Sequence, residues 1–314
     1  MIYKRYFIFV LALAVTGYAF FLFINIYQIP NLLPFNINEL PAGDESTLID
    51  LKNFNFILNH DTCSRTQPYL LVMVHSAPQN LKRRNTIRET WGQVSSSVIT
   101  VFLVGWSEKY QTELVNENFK FGDLIQGNFL DTYRNLTYKH IMALKWAIYY
   151  CSYAKYILKL DDDVYVHITA VLDYLKHKLP PRRSKHLILC NPLTKAPVIR
   201  SNSSKWGVSL KEYTGSYYPK YCLGPYIFYS PYTAFSLYRQ AQKEPFFWID
   251  DVHVTGTIAS KVNVTRNSLN SLALSLKEQD YILLNSNCSK NFLFGSLNLG
   301  LNEIRALHNI VSHC

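Results

Sequence analysis

The chain has 314 residues, of which 48% are hydrophobic and 15% aromatic. This composition excludes a disordered chain and is sufficient for one large globular domain or two smaller ones. The formal net charge is +10, from 32 basic and 22 acidic residues. Because the basic residues are mostly scattered and their denser spots are not interleaved with aromatic residues, nucleic acid is not expected as a partner.

A long apolar segment follows Lys4 and Arg5 and carries no charge from residue 6 to residue 29. About 24 residues are enough to span a bilayer, whereas the apolar core of a cleaved signal peptide has roughly 7–15 residues. Basic residues on the short N-terminal side favour a cytoplasmic N-terminus. The sequence therefore predicts a cytoplasmic tail at residues 1–5, a transmembrane signal anchor at residues 6–29 and a lumenal body.

Two further patterns agree with a lumenal body. N-glycosylation sequons begin at Asn135, Asn202, Asn263 and Asn287. All six cysteines follow the apolar segment, and none shows the C-x-x-C spacing of a zinc site, so disulfides are expected. Their pairing stays open.

Residues 30–66 are rich in proline and asparagine and show no sustained periodicity, which predicts a stem. The globular domain is then expected at residues 67–314. Within it, apolar runs typical of buried strands (69–74, 98–104, 121–125 and 156–160) alternate with helical patterns (80–91, 136–151 and 168–179). This alternation predicts an α/β fold with a mostly parallel sheet and flanking helices.

Three consecutive carboxylates, Asp161, Asp162 and Asp163, stand at the end of the strand that begins at Tyr156. Because strand side chains alternate between faces, Asp161 and Asp163 are expected to point the same way and Asp162 the other way. Two carboxylates on one side suit a hard divalent cation that keeps water or phosphate oxygens as its other ligands. A solvated strand end is the alternative, and the triplet alone leaves both open.

A second acidic pair, Asp250 and Asp251, follows the apolar run of residues 245–249. Two acidic groups, each at the end of an apolar run, favour one site divided between metal ligands and a general base. The basic helix at residues 80–91 carries Arg84 and Arg88 behind a strand, which favours a phosphate site. Arginines on a solvated helix are the alternative.

Several motifs in a fixed order carry a resemblance to a known family. They are Arg84–Gly92, Phe102–Gly105, Gly122–Gln126, Asp131–Thr137, Leu158–Val164, Lys205–Trp206, Tyr218–Cys222 and Asp250–Val252. Together they span about Tyr69 to Val264. The chain resembles the β-1,3-galactosyltransferase family, glycosyltransferase family 31, which also includes β-1,3-N-acetylglucosaminyltransferases.

The resemblance implies a GT-A type glycosyltransferase fold and a single-pass type II protein of the Golgi membrane. It also implies an inverting, Mn²⁺-dependent hexosyltransferase that forms a β-1,3 linkage to an acceptor glycan on a glycoprotein or glycolipid. UDP-galactose is the preferred donor and UDP-N-acetylglucosamine the alternative. A homodimer stays open.

By position, the resemblance implies that Asp161, Asp162 and Asp163 form the metal–diphosphate motif, with Asp161 and Asp163 as metal ligands and Asp163 the more direct. Asp251 matches the general base of the family's Glu-Asp-Val motif. Arg84 or Arg88 is expected to hold the diphosphate. Trp206, with the tyrosines near Tyr218 and Tyr221, is expected to line the sugar or acceptor pocket.

Three departures from the family pattern stand out. Asp250 replaces the Glu of Glu-Asp-Val, and residues 222–225 read Cys-Leu-Gly-Pro where Cys-Ser-Gly-x-Gly is usual. Many relatives have a metal-binding histidine in the stretch that here is Phe294–Asn298, which has none; His308 and His313 lie further along. These departures leave a catalytically inactive glycan-binding or chaperone-like relative as an alternative. A metal-dependent phosphotransferase or nuclease is the other alternative.

Overall fold

A computed structural model describes residues 34–63, 67–93, 95–179, 186–286 and 291–313. The predicted tail and signal anchor, the sequon at Asn287, Cys288 and Cys314 lie outside these ranges. No helix within the described ranges has both the length and the apolar character needed to span a membrane.

The described residues contain one mixed sheet in the order β1-β4-β3-β2-β5-β7-β6-β8. The strands are β1 Phe56–Leu58, β2 Leu70–His75, β3 Val98–Trp106, β4 Leu124–Leu130, β5 Tyr156–Asp161, β6 Ile188–Leu193, β7 Tyr221–Tyr229 and β8 Arg266–Ser268. β2 to β5 are mutually parallel, whereas β1, β7 and β6 join by antiparallel pairing and β8 runs parallel to β6. The expectation of a mostly parallel sheet thus holds for the central strands and is wrong for the C-terminal ones.

Helices cover both faces of this sheet. They are α1 Leu81–Glu89, α2 Gln111–Phe121, α3 Leu136–Tyr150, α4 Ile168–Asp173 with a π-turn at Tyr174–Lys178, α5 Pro231–Ala241, a π-helix at Val252–Ile258 continuing into α6 Ala259–Lys261, α7 Leu276–Asn285 and α8 Leu301–Ser312. The α/β class is therefore confirmed.

The apolar core has two main clusters, one on each face of the sheet, because every central strand is buried on both sides. Leu71 and Met73 of β2 pack with α3 and α5, whereas Leu70, Val72 and Val74 pack with α1, α4, α7 and α8. Each strand residue thus contributes its apolar area to one layer or the other, which explains the continuous apolar runs in the sequence.

The structure differs from the predicted stem over residues 35–63, which pack onto the globular body. Phe35 stacks on Phe235 with ring centroids 4.8 Å apart, and β1 pairs with β4. The Asp44 carboxylate is buried, accepts a hydrogen bond of 2.6 Å from the Tyr238 hydroxyl and lies 3.5 Å from Lys145 Nζ. The compact unit therefore begins at Phe35. The sequence did not indicate this, because the apolar residues here are isolated between prolines and show no local periodicity.

Two disulfides confirm the expectation for four of the cysteines. Cys63 bonds to Cys151, and Cys190 bonds to Cys222. The first ties the N-terminal segment to the end of α3, and the second joins β6 to β7 next to Leu223 and Gly224. Closing loops of these lengths stabilises a folded chain by about 3–5 kcal/mol each in the chain-entropy model.

Candidate active site

The site lies where the chain reverses direction across the sheet. From β2 the chain adds β3 and β4 on one side, and it then returns to place β5 on the other side of β2. Loops that follow β2 and β5 therefore diverge, which opens a crevice at the carboxyl ends of these strands. His75 and Asp161, the last residues of β2 and β5, are neighbours in the strand register, and both line a cavity of about 400 Å³.

Asp161 reaches this cavity and is held by a buried lysine. Lys159 Nζ lies 2.8 Å from Asp161 Oδ1 and donates a hydrogen bond of 2.7 Å to the Gly224 carbonyl. Burial lowers the pKa of Lys159, but the charges of Asp161 and Asp250 outweigh it and raise the pKa, so the lysine is a cation. The Asp161 side chain is 40% exposed, which leaves carboxylate surface open to a ligand.

Asp162 points away from the cavity, as the alternation of strand side chains predicts. Its Oδ2 accepts hydrogen bonds of 2.6 Å from the Ser76 hydroxyl and 2.9 Å from the Asn80 amide, and its Oδ1 lies 3.8 Å from Arg83 Nε. Burial raises the pKa of Asp162 despite these hydrogen bonds. Asp162 therefore ties the loop after β2 to the end of β5, and this contact differs from the diphosphate role expected for it.

Asp163 is partly buried and lies beside the C-terminal segment that lacks the family's histidine. Its carbonyl accepts a hydrogen bond of 2.9 Å from Leu299 N, and Gly295 N donates one of 2.9 Å to the Tyr165 carbonyl. Burial, followed by the charges of Asp161 and Asp162, raises the pKa of Asp163. The segment at Phe294–Asn298 thus lies beside the acidic triplet without supplying an imidazole.

The two later histidines have other contacts. His308 packs its ring 6.4 Å from the Tyr165 ring, and His313 is exposed at the end of α8, with Nδ1 2.6 Å from the Asn309 carbonyl. The imidazole next to Asp161 belongs instead to His75, whose Nε2 has no hydrogen-bond partner within the described ranges.

The acidic triplet has the chemistry of a hard-cation site, because two of its carboxylates supply oxygen ligands. Burial and mutual repulsion raise the pKa of Asp163, and a bound cation would relieve that repulsion. In the part of the chain that the structure describes, no group of three or more His, Cys, Asp or Glu side chains could hold a metal ion. A cation beside Asp161 and Asp163 would therefore have to take its remaining ligands from substrate and water.

Asp250 lines the same cavity and is held by a buried histidine. Its Oδ2 lies 2.9 Å from His140 Nδ1, and His140 Nε2 lies 3.0 Å from the Tyr229 hydroxyl. Burial raises the pKa of Asp250, but the hydrogen bond with His140 and the charge of Lys159 outweigh it and lower the pKa. Asp250 is consequently a carboxylate at neutral pH.

Asp251 lines the same cavity and begins the π-helix of residues 252–258. Its Oδ1 accepts a hydrogen bond of 2.8 Å from Val252 N, so the carboxylate is oriented by the start of that helix. Burial and the adjacent charge of Asp250 raise the pKa of Asp251 to about 7. A carboxylate with a pKa near the working pH can accept a proton efficiently and release it again, which suits a general base.

Arg84 and Arg88 are not among the residues that line the cavity, and both belong to a buried ion-pair network. Arg84 bonds both oxygens of Glu117 at 2.7 Å, and it also donates to the carbonyls of Ala77 and Pro78. Arg88 bonds Asp123 through two nitrogens at 2.7 and 2.8 Å. Their guanidinium groups already have carboxylate partners and hold α1, α2 and the loop after β2 together. The expected contact with a diphosphate stays a prediction.

Trp206 lies at the rim of the cavity and is 47% exposed. Lys205 Nζ lies 4.5 Å from its ring and 5.8 Å from that of Tyr133. Tyr218 and Tyr221 also line the cavity. The residues expected to contact a sugar thus line the same cavity as Asp161 and Asp251.

Three residues of the site were missed from the sequence. His75 stood at the end of a strand, His140 lay in an amphipathic helix, and neither had a local signal. Lys159 did have one, because a lysine inside an otherwise apolar strand requires a buried anion. It is 2% exposed, and its partner is two residues away on the same face of β5.

Comparison with known proteins identifies the family of the chain. Residues 82–270 match the family model described as Galactosyltransferase. The chain is 33% identical over 265 residues to the lactosylceramide 1,3-N-acetyl-beta-D-glucosaminyltransferase of Xenopus tropicalis, covering 80% of this chain and 68% of that protein. It is 31% identical over 246 residues to beta-1,3-galactosyltransferase 5 of Homo sapiens, covering 76% of this chain and 78% of that protein.

The fold, the acidic cavity and these matches define a glycosyltransferase. More particularly, the chain belongs to the galactosyltransferase family, which confirms the resemblance of its motifs to glycosyltransferase family 31.

Solved structures show a more distant likeness. A glycosyltransferase involved in the glycosylation of the major capsid of PBCV-1 aligns with a TM-score of 0.40 and 9% identity, covering 77% of this chain and 100% of that one. The galactosyltransferase LgtC, solved with donor and acceptor sugar analogues, aligns with a TM-score of 0.37 and 8% identity, covering 77% and 95%.

Proposed function

We propose that this glycosyltransferase is an inverting, Mn²⁺-dependent enzyme of the GT-A type. It transfers a hexose from a UDP-sugar to the 3-hydroxyl of an acceptor glycan on a glycoprotein or glycolipid and forms a β-1,3 linkage. Galactose is the preferred assignment for this hexose. The observation that supports this most directly is the pairing, in one cavity, of Asp161 with a second carboxylate, Asp251, whose pKa is raised to about 7.

Asp251 and Asp161 line the same cavity and take different parts in the reaction. Asp251 accepts the proton of the acceptor hydroxyl as that oxygen attacks the anomeric carbon, a contribution of about 10²–10⁴-fold in rate. Asp250 stays ionised because His140 and Lys159 stabilise its charge, and this charge keeps the proton affinity of Asp251 high.

Lys159 keeps Asp161 fixed at the donor end of the cavity. Asp161 and Asp163 would hold Mn²⁺. When bound, this ion supplies positive charge that neutralises the diphosphate of the leaving UDP.

The donor sugar is proposed from family membership and stays divided between two sugars. The relatives reported above are named for transfer of N-acetylglucosamine in one case and of galactose in the other. We assign galactose first, as the family resemblance suggested. We also propose a single-pass type II protein of the Golgi membrane, on the basis of the apolar segment at residues 6–29 and the sequons and disulfides that follow it.

UDP release from the full-length chain, purified in mild detergent, tests the proposed activity. We expect turnover of UDP-galactose with Mn²⁺ and a galactose- or N-acetylglucosamine-terminated acceptor, and loss of turnover when the ion is chelated. Asp251→Asn should bind UDP normally and transfer sugar at least about 100-fold more slowly. Turnover of UDP-N-acetylglucosamine instead would reassign the donor, and absence of both turnover and UDP binding would refute the proposal.

A further inference from the structure

Asp250 and Asp251 are adjacent carboxylates in one cavity, and the structure gives them different partners. The Asp250 side chain is 13% exposed, and its Oδ2 lies 2.9 Å from His140 Nδ1. Asp251 Oδ1 accepts a hydrogen bond from Val252 N, and its Oδ2 lies beside Gly224, where a Cβ atom would be 3.9 Å away. The two carboxylates are therefore not equivalent, and their surroundings decide which of them takes the acceptor proton.

The hydrogen bonds of His140 fix the tautomer of its ring. A carboxylate can only accept hydrogen bonds, so His140 Nδ1 carries the proton that it donates to Asp250 Oδ2. In a neutral ring Nε2 is then an acceptor, and the Tyr229 hydroxyl, 3.0 Å away, donates to it. Burial lowers the pKa of His140 and raises the pKa of Tyr229, so both side chains are neutral at pH 7. Donation therefore runs from Tyr229 through His140 to Asp250.

His140 and Tyr229 are held in the core of the protein. His140 lies on α3 and Tyr229 is the last residue of β7, and both are fully buried. The His75 ring packs against the His140 ring at right angles, with centroids 5.4 Å apart. Because buried side chains in a hydrogen-bonded chain keep their orientation, Asp250 Oδ2 stays bonded to His140 and is not free to accept a proton from substrate.

We propose that Tyr229, His140 and Asp250 form a positioning triad that leaves Asp251 as the only base of the pair. The triad holds Asp250 as a fixed negative charge, and two adjacent carboxylates do not readily ionise together, so the proton that the pair retains lies on Asp251. Without the triad, burial would return this proton to Asp250, and Asp251 would ionise at lower pH. This inference rests on the proposed transferase activity.

Other titratable groups face the pair from the elements packed around it. Lys159 stays a cation, and Asp161 beside it is the same in every variant compared below. The remaining groups are rings that are neutral near pH 7, because burial raises the pKa of the tyrosines and lowers the pKa of the histidines: Tyr133, Tyr218, Tyr221, His75 and His253. The change of charge near pH 7 therefore belongs to Asp250 and Asp251 as a pair.

The test compares the pH profiles of kcat for variants of the full-length chain, with UDP-galactose, Mn²⁺ and one acceptor. Asp250→Asn removes the fixed charge, His140→Leu removes the donor to it, and Tyr229→Phe removes one hydroxyl from the far side of the imidazole. Tyr226→Phe is the matched control, because Tyr226 is a buried tyrosine of the same strand that packs on the opposite face of the sheet, stacked on Phe294.

We expect kcat of the wild type and of Tyr226→Phe to be half-maximal near pH 7. Asp250→Asn and His140→Leu should each lower this midpoint by about one pH unit or more, and Tyr229→Phe should lower it by less. At alkaline pH Asp250→Asn should stay within about tenfold of the wild-type rate, since loss of the base itself costs about 10²–10⁴-fold.

Two results would overturn the inference. One is a midpoint that neither His140→Leu nor Tyr229→Phe moves. The other is an Asp250→Asn variant that is inactive at every pH although it is folded and binds UDP, because Asp250 would then take part in the chemistry and not only position it.

Failure of the transferase proposal is distinguished by thermal unfolding, which needs no acceptor. Beside a charged Asp250, the ionised Asp251 carboxylate destabilises the fold, so Asp251→Asn should raise Tm at pH 8. The same change should raise Tm less in the Asp250→Asn and His140→Leu backgrounds, where the charge of Asp250 is absent. An equal gain in all three backgrounds would refute the triad, whether or not the protein transfers sugar.

Discussion

Replacement of Arg84 separates the role expected from the sequence from the role that the structure gives it. The sequence suggests a contact with the donor diphosphate, whereas the structure shows a guanidinium that is 1% exposed and bonded to both oxygens of Glu117. The same group donates to the Ser76 hydroxyl at 3.0 Å and to the Ala77 carbonyl at 2.6 Å. Arg84→Met should therefore destabilise the fold.

The magnitude follows from the partners that the change leaves behind. Loss of one member of a buried ion pair costs about 3–5 kcal/mol, because the other charge remains buried. Glu117 keeps Arg88, whose Nη2 lies 2.7 Å from Glu117 Oε1, so we expect the lower end, about 3 kcal/mol. For a domain of this size, about 3 kcal/mol corresponds to a fall of roughly 6–12 °C in Tm.

The assay compares Arg84→Met with Arg83→Met, the neighbouring arginine on α1. The Arg83 side chain is 32% exposed and 3.8 Å from its carboxylate partner, so its loss should change stability by less than about 1 kcal/mol. Thermal unfolding gives Tm, and calorimetry gives the affinity for UDP with Mn²⁺. A wild-type Tm for Arg84→Met, together with an affinity for UDP at least about tenfold weaker, would refute the structural reasoning and restore the diphosphate role.

Three further results are expected. Because a raised pKa keeps Asp251 protonated in acid, the transfer rate should rise with pH and level off above about pH 7, and a flat profile between pH 5 and 8 would contradict its role as base. The same raised pKa means that the ionised carboxylate destabilises the fold, so Asp251→Asn should increase Tm at pH 8 and increase it less as the pH falls toward 4; an equal change at both ends would contradict the shift. Asp163→Asn should weaken Mn²⁺-dependent UDP binding measured by calorimetry, and wild-type affinity would count against its role as ligand.

The central strands and the acidic triplet could be predicted because their signals are local. Continuous apolar runs mark β2, β3 and β5, and the alternation of side chains predicted correctly that Asp162 turns away from the face of Asp161. The sequence also placed both acidic groups at the ends of apolar runs. Both inferences depend only on patterns within a single strand, namely its apolar run and the alternation of its side chains.

The C-terminal strands could not be predicted in the same way. β7 contains Gly224 and Pro225, which in a sequence indicate a turn or an edge strand, yet it lies between β5 and β6. Proline is tolerated there because the pairing of β6 with β7 shifts between Leu189 and Asn191, next to this point in the ladder.

The partners of Arg84 and Arg88 could not be predicted from the sequence either. Glu117 and Asp123 come from α2 and the residues just after it, and α2 was not predicted because most of its residues are polar. A basic helix face has the same local pattern whether its partner is a phosphate or a distant carboxylate. Only the packing of α1 against α2 decides between them.

The packing of residues 35–63 onto the body determines where a shortened recombinant protein can begin. A chain that starts at residue 67 keeps every residue of the family match but loses Asp44, the carboxylate beside the buried Lys145. It also leaves Cys151 without its disulfide partner and β4 as an open sheet edge. Such a protein is expected to aggregate, and its lack of activity would say nothing about the chemistry. A boundary at or before residue 34 keeps all three contacts.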